Sequence, residues 1–334
     1  MNKNPKKIIY FHINASTNIG LGHLYRSIAI AEHLKNYFII IFIGNIKTKF
    51  FFDKFEIKYK YFYYTNMNNF YKIIRINKPN IIINDRLDNS YNYVLFIKKF
   101  CDKIINFEDN GKGNNFADLS INELNYEKTN NKKKLYGFSY FLLRKEFLRK
   151  QKNQFNYKIN KILITFGGTD PSNYTLKTIN LLNDISKKLN ILLFVVIGPG
   201  YKNKIVLKKH ILKISNKNIN LYESIGKMSQ IMSKVDFAFS SNGRTVLELA
   251  QMNIPGIIID QNKRESTHLF WKISKGFYNF KNFDTKNEQK IYNKFKLIFN
   301  DHLTRKKLYN NLLRYDFKLN KYRIIESIIK LINK

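Results

Sequence analysis

Short apolar runs, each closed by a polar or glycine-bearing turn and followed by helical spacing, recur along the chain. One instance is complete in itself. Phe237–Ser240 is a short apolar strand, Ser241-Asn242-Gly243-Arg244 is a polar turn, and Thr245–Met252 has helical spacing with Val246, Leu249 and Ala250 apolar. Pro255-Gly256 punctuates, and Ile257–Ile259 starts another buried strand. Strand, glycine turn, helix and strand make one βαβ unit. The same rhythm opens the chain. Lys7–Ile13 reads as a buried strand, residues 14–22 as a loop, and His23–Leu34 as an amphipathic helix with Leu24, Ile28, Ala31 and Leu34 inward; Phe38–Ile43 is the next strand. Tyr71–Ile76 reads as a helix ended by Pro79, with strands at Asn80–Asn84 and Lys103–Glu108. After a polar, basic stretch, Lys161–Phe166 is a strand, residues 167–173 a loop, Tyr174 to about Leu182 a helix, and Ile191–Ile197 a strand. Residues 221–228 lead into a short helix to Ser233, residues 266–270 begin another, and basic amphipathic helices over Thr285–Phe299 and Leu303–Lys334 close the chain. Alternation of this kind predicts an α/β fold of two Rossmann-like domains. Their spans are residues 1–150 and 161–334, with 151–160 as linker and a final helix able to pack back on the first domain.

Composition changes this picture in a few places. A length of 334 residues suits two ordinary domains, and 44% hydrophobic residues suffice for two cores. The formal net charge of +35 raises the possibility of nucleic acid or an anionic membrane as partner. The excess, however, is mostly lysine spread over the whole chain beside Asn, Ile, Tyr and Phe, without the arginine clusters or motifs of a nucleic-acid binder. It reads as base-composition drift, compatible with at most peripheral membrane contact. Against that drift the scarce residues carry more meaning. Glycines gather at Gly20/Gly22, Gly111/Gly113, Gly167/Gly168, Gly198/Gly200 and Gly243, with Arg26, Arg144, Arg244 and Arg264 near several of them. Lysine cannot replace a bidentate guanidinium, so this grouping points to phosphate or carboxylate handling. The single Cys101 excludes intrachain disulfides and a cysteine metal cluster. Ile8–Ile13 is too short for a signal sequence and Tyr37–Ile43 too short to span a bilayer, so the expected location is cytoplasmic.

The candidate chemistry sits in the turns that follow strands. His23 begins a helix, where the positive end of the dipole disfavours imidazolium, and a neutral imidazole can act as a general base. Gly20 and Gly22 allow tight backbone approach, and Arg26, on the same helical face, can meet a phosphate or orient a carboxylate. Gly167 and Gly168 let backbone N–H groups approach a pyrophosphate, with Thr169 and Asn173 as side-chain donors. Glu248, one turn into its helix, can accept two hydroxyl hydrogen bonds. Asp85 and Asp88 end a strand in a charged loop that could bind an acceptor, a sugar or a metal.

Several segments together resemble the pseudaminic-acid-pathway UDP-sugar hydrolases and the related spore-coat polysaccharide biosynthesis proteins, of glycosyltransferase-B type. Gly-x-Gly-His-x-x-Arg is present as Gly20, Gly22, His23 and Arg26, and Gly-Gly-x-Asp-x-x-Asn as Gly167, Gly168, Asp170 and Asn173. Between them stand the acidic strand end Phe107-Glu108-Asp109, the segment Ala117–Asn122, and Tyr140-x-x-Leu143-Arg144-x-Glu146-Phe147. The resemblance covers about residues 7 to 275, and Ser241–Thr245 looks more like the spore-coat subgroup. It implies two domains facing across a cleft, with UDP mainly on the second and the sugar toward His23. By the same resemblance Glu248 holds the ribose, Ile225 and Met228 contact the uracil, and Asn242, Gly243, Arg244 and Thr245 line the nucleotide site. Gln261, Asn262 and Glu265 become sugar or phosphate ligands, and His268 is structural. The implied activity is hydrolysis of a UDP-linked amino sugar with His23 activating water, without cofactor or metal. The alternative is an inverting UDP-sugar glycosyltransferase in which His23 activates an acceptor hydroxyl.

Overall fold

Runs such as Ile81-Ile-Ile are apolar at every position, the signature of strands covered on both faces in a parallel sheet. The computed structural model, which describes residues 5–14, 21–127, 129–150 and 152–333, folds them that way. The chain divides into two units, Met1–Leu142 with Leu319–Lys334, and Leu143–Lys318. The division therefore precedes the 151–160 stretch read as a linker.

The first unit contains strands β1 (Ile8–Ile13), β2 (Ile39–Asn45), β3 (Lys60–Tyr64), β4 (Ile81–Asp85), β5 (Lys103–Phe107), β6 (Leu119–Asn122) and β7 (Lys134–Tyr136). They form one parallel sheet in the order β3-β2-β1-β4-β5-β6-β7. The order reverses direction between β1 and β4, and open α/β sheets bind ligands beyond the carboxyl ends of the strands at such a point. Apolar clusters cover both faces, one including Phe11, Phe42 and Ile83, the other Tyr10, Phe70 and Ile82. The last helix, Asn320–Ile332, completes the former by burying Ile324, Ile328 and Ile332. Asn320 Nδ2 donates to the Phe138 carbonyl at 2.8 Å, and Lys7 Nζ to that of Ile332 at 2.9 Å.

The second unit repeats the plan with β8 (Lys161–Thr165), β9 (Leu192–Ile197), β10 (Ile219–Glu223), β11 (Phe237–Ser241), β12 (Gly256–Ile259) and β13 (Phe277–Phe280). Its sheet order is β10-β9-β8-β11-β12-β13, again parallel, and reverses between β8 and β11.

Two differences from the sequence reading have clear causes. The helix expected over Leu303–Lys334 is two helices, His302–Leu312 and Asn320–Ile332. Between them Tyr315 and Phe317 turn into an aromatic cluster with Phe270, a burial that a continuing helix would not give. The helix Ile46–Lys54 and strand β3 had no sequence reading, because Phe50-Phe51-Phe52 and Tyr59–Tyr64 show neither period clearly. Asn45 starts that helix, its side chain accepting the Thr48 N–H at 2.9 Å. No helix among the described residues is long and apolar enough to cross a membrane.

Ile328→Ala tests the place of the last helix. The residue is fully buried in the first unit's core, so denaturant unfolding should show a loss of about 2–5 kcal/mol. An unchanged midpoint would mean the helix is not part of that core.

Candidate functional site

In the first unit the reversal point brings the end of β4 to the start of the Gly22–Leu34 helix. Asp85, the last residue of β4, pairs in register with Ile13 and is fully buried. Its Oδ1 lies 2.5 Å from His23 Nδ1 and 2.6 Å from Arg26 Nη2, while Oδ2 accepts from Arg26 Nε at 2.9 Å and Ser27 Oγ at 3.0 Å. Arg26 also donates through Nη1 to Glu123 Oε1 at 2.6 Å, and Glu108 Oε1 stands 3.6 Å away. Those two carboxylates are steadied by backbone. Glu108 Oε1 accepts from Glu123 N at 2.5 Å and Leu124 N at 3.3 Å, and Glu123 Oε2 from Leu142 N at 3.2 Å.

Burial alone would raise the Asp85 carboxyl, but the Arg26 guanidinium and His23 outweigh it and hold it well below the ordinary carboxylate range. Whenever the imidazole carries one proton, an ionised Asp85 on Nδ1 selects its Nδ1–H tautomer. Nε2, with no hydrogen-bond partner among the described residues, is then the atom left to take a proton. Of the two roles open to Arg26, the structure gives it that of orienting a carboxylate. It is 2% exposed with its fork closed on Asp85 and Glu123, so no guanidinium edge is presented to a phosphate. Gly22 is the first residue of the helix. Gly20 lies outside the described residues.

In the second unit the loops after β8, β11 and β12 converge. Gly167 has φ of 79°, open to glycine at no steric cost. A Cβ added at Gly167 or Gly243 would meet nothing nearer than 3.9 Å and 3.7 Å respectively, so both backbones are approachable. Gly198 is different. Its Cβ would fall 2.3 Å from the Gly168 carbonyl oxygen, which makes it a packing glycine; Gly111, whose Cβ would meet the Asn89 carbonyl oxygen at 2.3 Å, is another. Glycine clustering therefore has two causes here, and only one of them leaves room for a ligand.

The donors expected for a pyrophosphate are partly taken. Asp170 accepts the N–H groups of Tyr174 and Thr175 at 2.9 and 2.8 Å, so a side chain of the preceding loop already occupies the first donors of the Tyr174–Leu189 helix. Asn173 Oδ1 accepts from the Tyr201 hydroxyl, and Thr169 is buried. Glu248 is clamped on both oxygens by Arg144, Nε to Oε1 at 2.6 Å and Nη2 to Oε2 at 2.7 Å, while Arg144 Nη1 reaches Glu146 at 2.8 Å. Arg244 caps and Thr245 begins the helix that carries Glu248. Ile225 is half-buried in the segment after β10, and Met228, the first residue of the next helix, is buried, so its backbone is what it can offer.

Glu265 is turned inward. Its Oε2 accepts the backbone N–H of Gln261 at 2.8 Å and of Asn242 at 3.3 Å, and its own N–H donates to Asn262 Oδ1 at 3.0 Å. Asn242 Nδ2 donates to the carbonyls of Glu265 at 2.8 Å and His268 at 3.1 Å, while Gln261 Nε2 donates to the Phe166 carbonyl at 2.9 Å. His268, 5% exposed, donates through Nδ1 to the Asn242 carbonyl at 2.5 Å. Sequence reasoning took Gln261, Asn262 and Glu265 for ligands; the structure uses part of each to tie the three loops together. It had no role for Asp85 as the partner of His23, for Glu123, or for Arg144 as the partner of Glu248. An aspartate closing an apolar strand was the available signal for the first, and Glu123 offered none.

No protein-family model matches the chain. It is 29% identical over 267 residues to an uncharacterised protein of Methanocaldococcus jannaschii, covering 75% of this chain and 55% of that protein. The chain thus spans about half the length of the curated relative it matches. Among solved structures it is similar to MurG of Acinetobacter baumannii, with a TM-score of 0.66 at 10% identity over 97% of this chain and 99% of that one. The chain has the glycosyltransferase-B fold. An MnaA–UDP complex from S. aureus aligns with a TM-score of 0.65 at 13% identity over 98% of this chain and 97% of that one. A UDP-GlcNAc 2-epimerase from Neisseria meningitidis bound to UDP-GlcNAc gives 0.58 at 13% identity over 97% and 100%.

The Glu265 carboxyl is pushed up to about 7 by burial, and the carboxylates of Asp260 and Asp170 push the same way. Between its ordinary value of 4.5 and that point the folded chain keeps a proton that the unfolded chain has lost, so stability falls as pH rises through this window and levels off above it. Thermal melts of wild type and Glu265→Gln from about pH 5 to 8 should show the substitution gaining stability relative to wild type with rising pH. Parallel pH profiles would refute the assignment.

Proposed function

We propose that this chain is a UDP-sugar enzyme of glycan biosynthesis and that it hydrolyses the bond between the anomeric carbon and the diphosphate. The observation that carries the reading is the His23–Asp85 pair, an imidazole held at Nδ1 by an ionised carboxylate, with no partner on Nε2 among the described residues. That is the arrangement of an oriented general base. A fold shared with proteins solved with UDP and UDP-GlcNAc supports the nucleotide-sugar part.

In this reading the second unit holds UDP. The open backbones at Gly167 and Gly243 approach the diphosphate, Arg244 contributes positive charge there, and Glu248, aligned by Arg144, uses its remaining lone pairs on the ribose. Nε2 of His23 takes a proton from water as the water oxygen bonds to the anomeric carbon. The carbon–oxygen bond to the diphosphate breaks and UDP leaves with its electron pair. Attack opposite the leaving group inverts the carbon. The substrate class we favour is a UDP-linked diacetamido sugar on the way to a nonulosonic acid, on the strength of the motifs from Gly20 to Glu265. A glycosyltransferase is the second reading, since the same base would activate an acceptor hydroxyl by the same steps.

The test is to incubate purified protein with UDP-2,4-diacetamido-trideoxyhexose alone, following UDP release and the anomeric configuration by NMR. Free sugar of inverted configuration should form. His23→Ala should abolish it, and Asp85→Asn should lower kcat by about 10²–10⁴-fold while the melting curve still shows a folded protein. UDP binding without sugar release, in the presence of active controls, would reject hydrolysis of this substrate and leave the transferase to be tried with acceptors.

A further inference from the structure

Arg86 follows Asp85 at the carboxyl end of β4, at the same reversal point of the first sheet, but turns to the opposite face. That face carries a polar row in register across four strands, His12, Asn84, Asn106 and Ser120. The Arg86 guanidinium lies on this row with neutral groups for walls. Its carbon is 4.6 Å from the centre of the Tyr93 ring, and Nη1 stands 3.5 and 3.4 Å from Nδ1 and Nε2 of His12.

The hydrogen bonds around His12 fix what those walls are. The Tyr93 hydroxyl donates to Asn84 Oδ1 at 2.6 Å, so it accepts from His12 Nδ1–H at 2.6 Å, which leaves Nε2 to accept from the Tyr64 hydroxyl at 3.0 Å. Burial, and then the charge of Arg86, keep His12 well below its ordinary range, so it is uncharged. Stacking on Phe70 at 4.5 Å holds its ring in place.

No carboxylate pairs with Arg86 among the described residues. The acidic side chains nearest in sequence are engaged, Asp85 with His23, Arg26 and Ser27, and Asp88 with the Asn110 N–H at 2.9 Å. Arg86 Nε is buried with no hydrogen-bond partner. Arginine cannot shed its charge as a buried lysine can. A half-buried, immobilised guanidinium without a counter-ion is therefore an unfavourable arrangement that an incoming anion would relieve.

We propose that Arg86 is the anchor of an oxyanion site at the carboxyl edge of the first unit's sheet, taking a carboxylate or a phosphate group of a bound substrate. Anion binding stands on the geometry alone. Assigning the anion to a nucleotide sugar or to its acceptor rests on the function proposed above. Arg26 is excluded from this work by its closed fork, whereas Arg86, at the same edge, has no acidic partner among the described residues.

Arg86→Met removes the charge at similar volume, and Arg86→Lys keeps the charge without the fork. Thermal melts and titration calorimetry of the full chain would be run with inorganic pyrophosphate, with UDP, and with glucuronate. Without ligand, Arg86→Met should melt no lower than wild type, because the charge it removes has no acidic partner among the described residues and methionine keeps the packing on Tyr93. A structural guanidinium would show a clear loss. At least one probe should stabilise wild type, and its affinity should fall about 10- to 100-fold in Arg86→Met and less in Arg86→Lys. Loss confined to pyrophosphate and UDP would identify the diphosphate as the source, and loss confined to glucuronate an acidic sugar or acceptor. If no probe binds, or if binding survives Arg86→Met intact, the proposal is overturned. Turnover of a UDP-sugar together with anion binding that is unaffected by Arg86→Met would overturn it while leaving the proposed function standing. Absent turnover with Arg86-dependent anion binding would do the reverse.

Discussion

The arrangement at the first sheet's reversal point depends on one buried carboxylate. Asp85 ends an all-apolar strand and must satisfy its charge without water, and it does so by drawing in His23, Arg26 and Ser27 from one helical turn. Those contacts fix how the Gly22–Leu34 helix begins against β4. Three carboxylates surround the single guanidinium of Arg26. Such a cluster is tolerable only because backbone N–H groups of residues 123, 124 and 142 share the negative charge. Removing one partner from a buried set of this kind costs far more than the pair contributes, since the others are left unpaired. The His23–Asp85 pair is thus held by the same contacts that satisfy the buried charge.

The same logic governs the second unit and explains how an overall charge of +35 coexists with such sites. The lysines are mostly at the surface, while several of the fewer acids are buried or half-buried and bonded to backbone. Asp170 caps a helix, Glu265 bridges two loop N–H groups, and Asp236 accepts from the N–H groups of Asn160 and Lys161 at 2.9 Å each. Carboxylates of the chain occupy donors that a phosphate could have used. What they leave open is local, namely the bare backbone at Gly167 and Gly243. The nucleotide site proposed here is accordingly narrower than a count of glycines and helix N-termini would make it.

How far the sequence could be read follows from the range of each interaction. Strand–turn–helix units are local, and the readings at Lys7–Leu34, Lys161–Leu182 and Phe237–Ile259 meet the observed elements to within a few residues except at the end of the Tyr174 helix, which runs on to Leu189. His23 and Arg26 share a turn, so their common face was visible. Asp85 lies 62 positions from His23, and Arg144 lies 104 from Glu248. No spacing rule reaches that far, and only the register of parallel strands brings the first pair together. Enrichment in Ile, Lys, Asn, Phe and Tyr obscured the rest. It flattened the contrast between polar and apolar positions over residues 46–64, and it made residues 303–334 look like one amphipathic helix although Tyr315 and Phe317 were needed elsewhere.

Whether water or an alcohol attacks is not decided by the base. An imidazole oriented by a carboxylate deprotonates either, and both reactions break the same bond. The distinction must come from what the site pays in desolvation to exclude water and hold an acceptor. A hydrolase has no use for a fixed cation beyond those that bind the diphosphate or an acidic group of the sugar itself. Arg86 is such a cation, held by neutral aromatic walls at the edge where Asp85 ends its strand. If its anion is the diphosphate, the charge serves leaving-group binding and hydrolysis remains sufficient. If its anion is a carboxylate on a second molecule, the charge is there to select an acceptor, and the transferase becomes the better account of the same dyad.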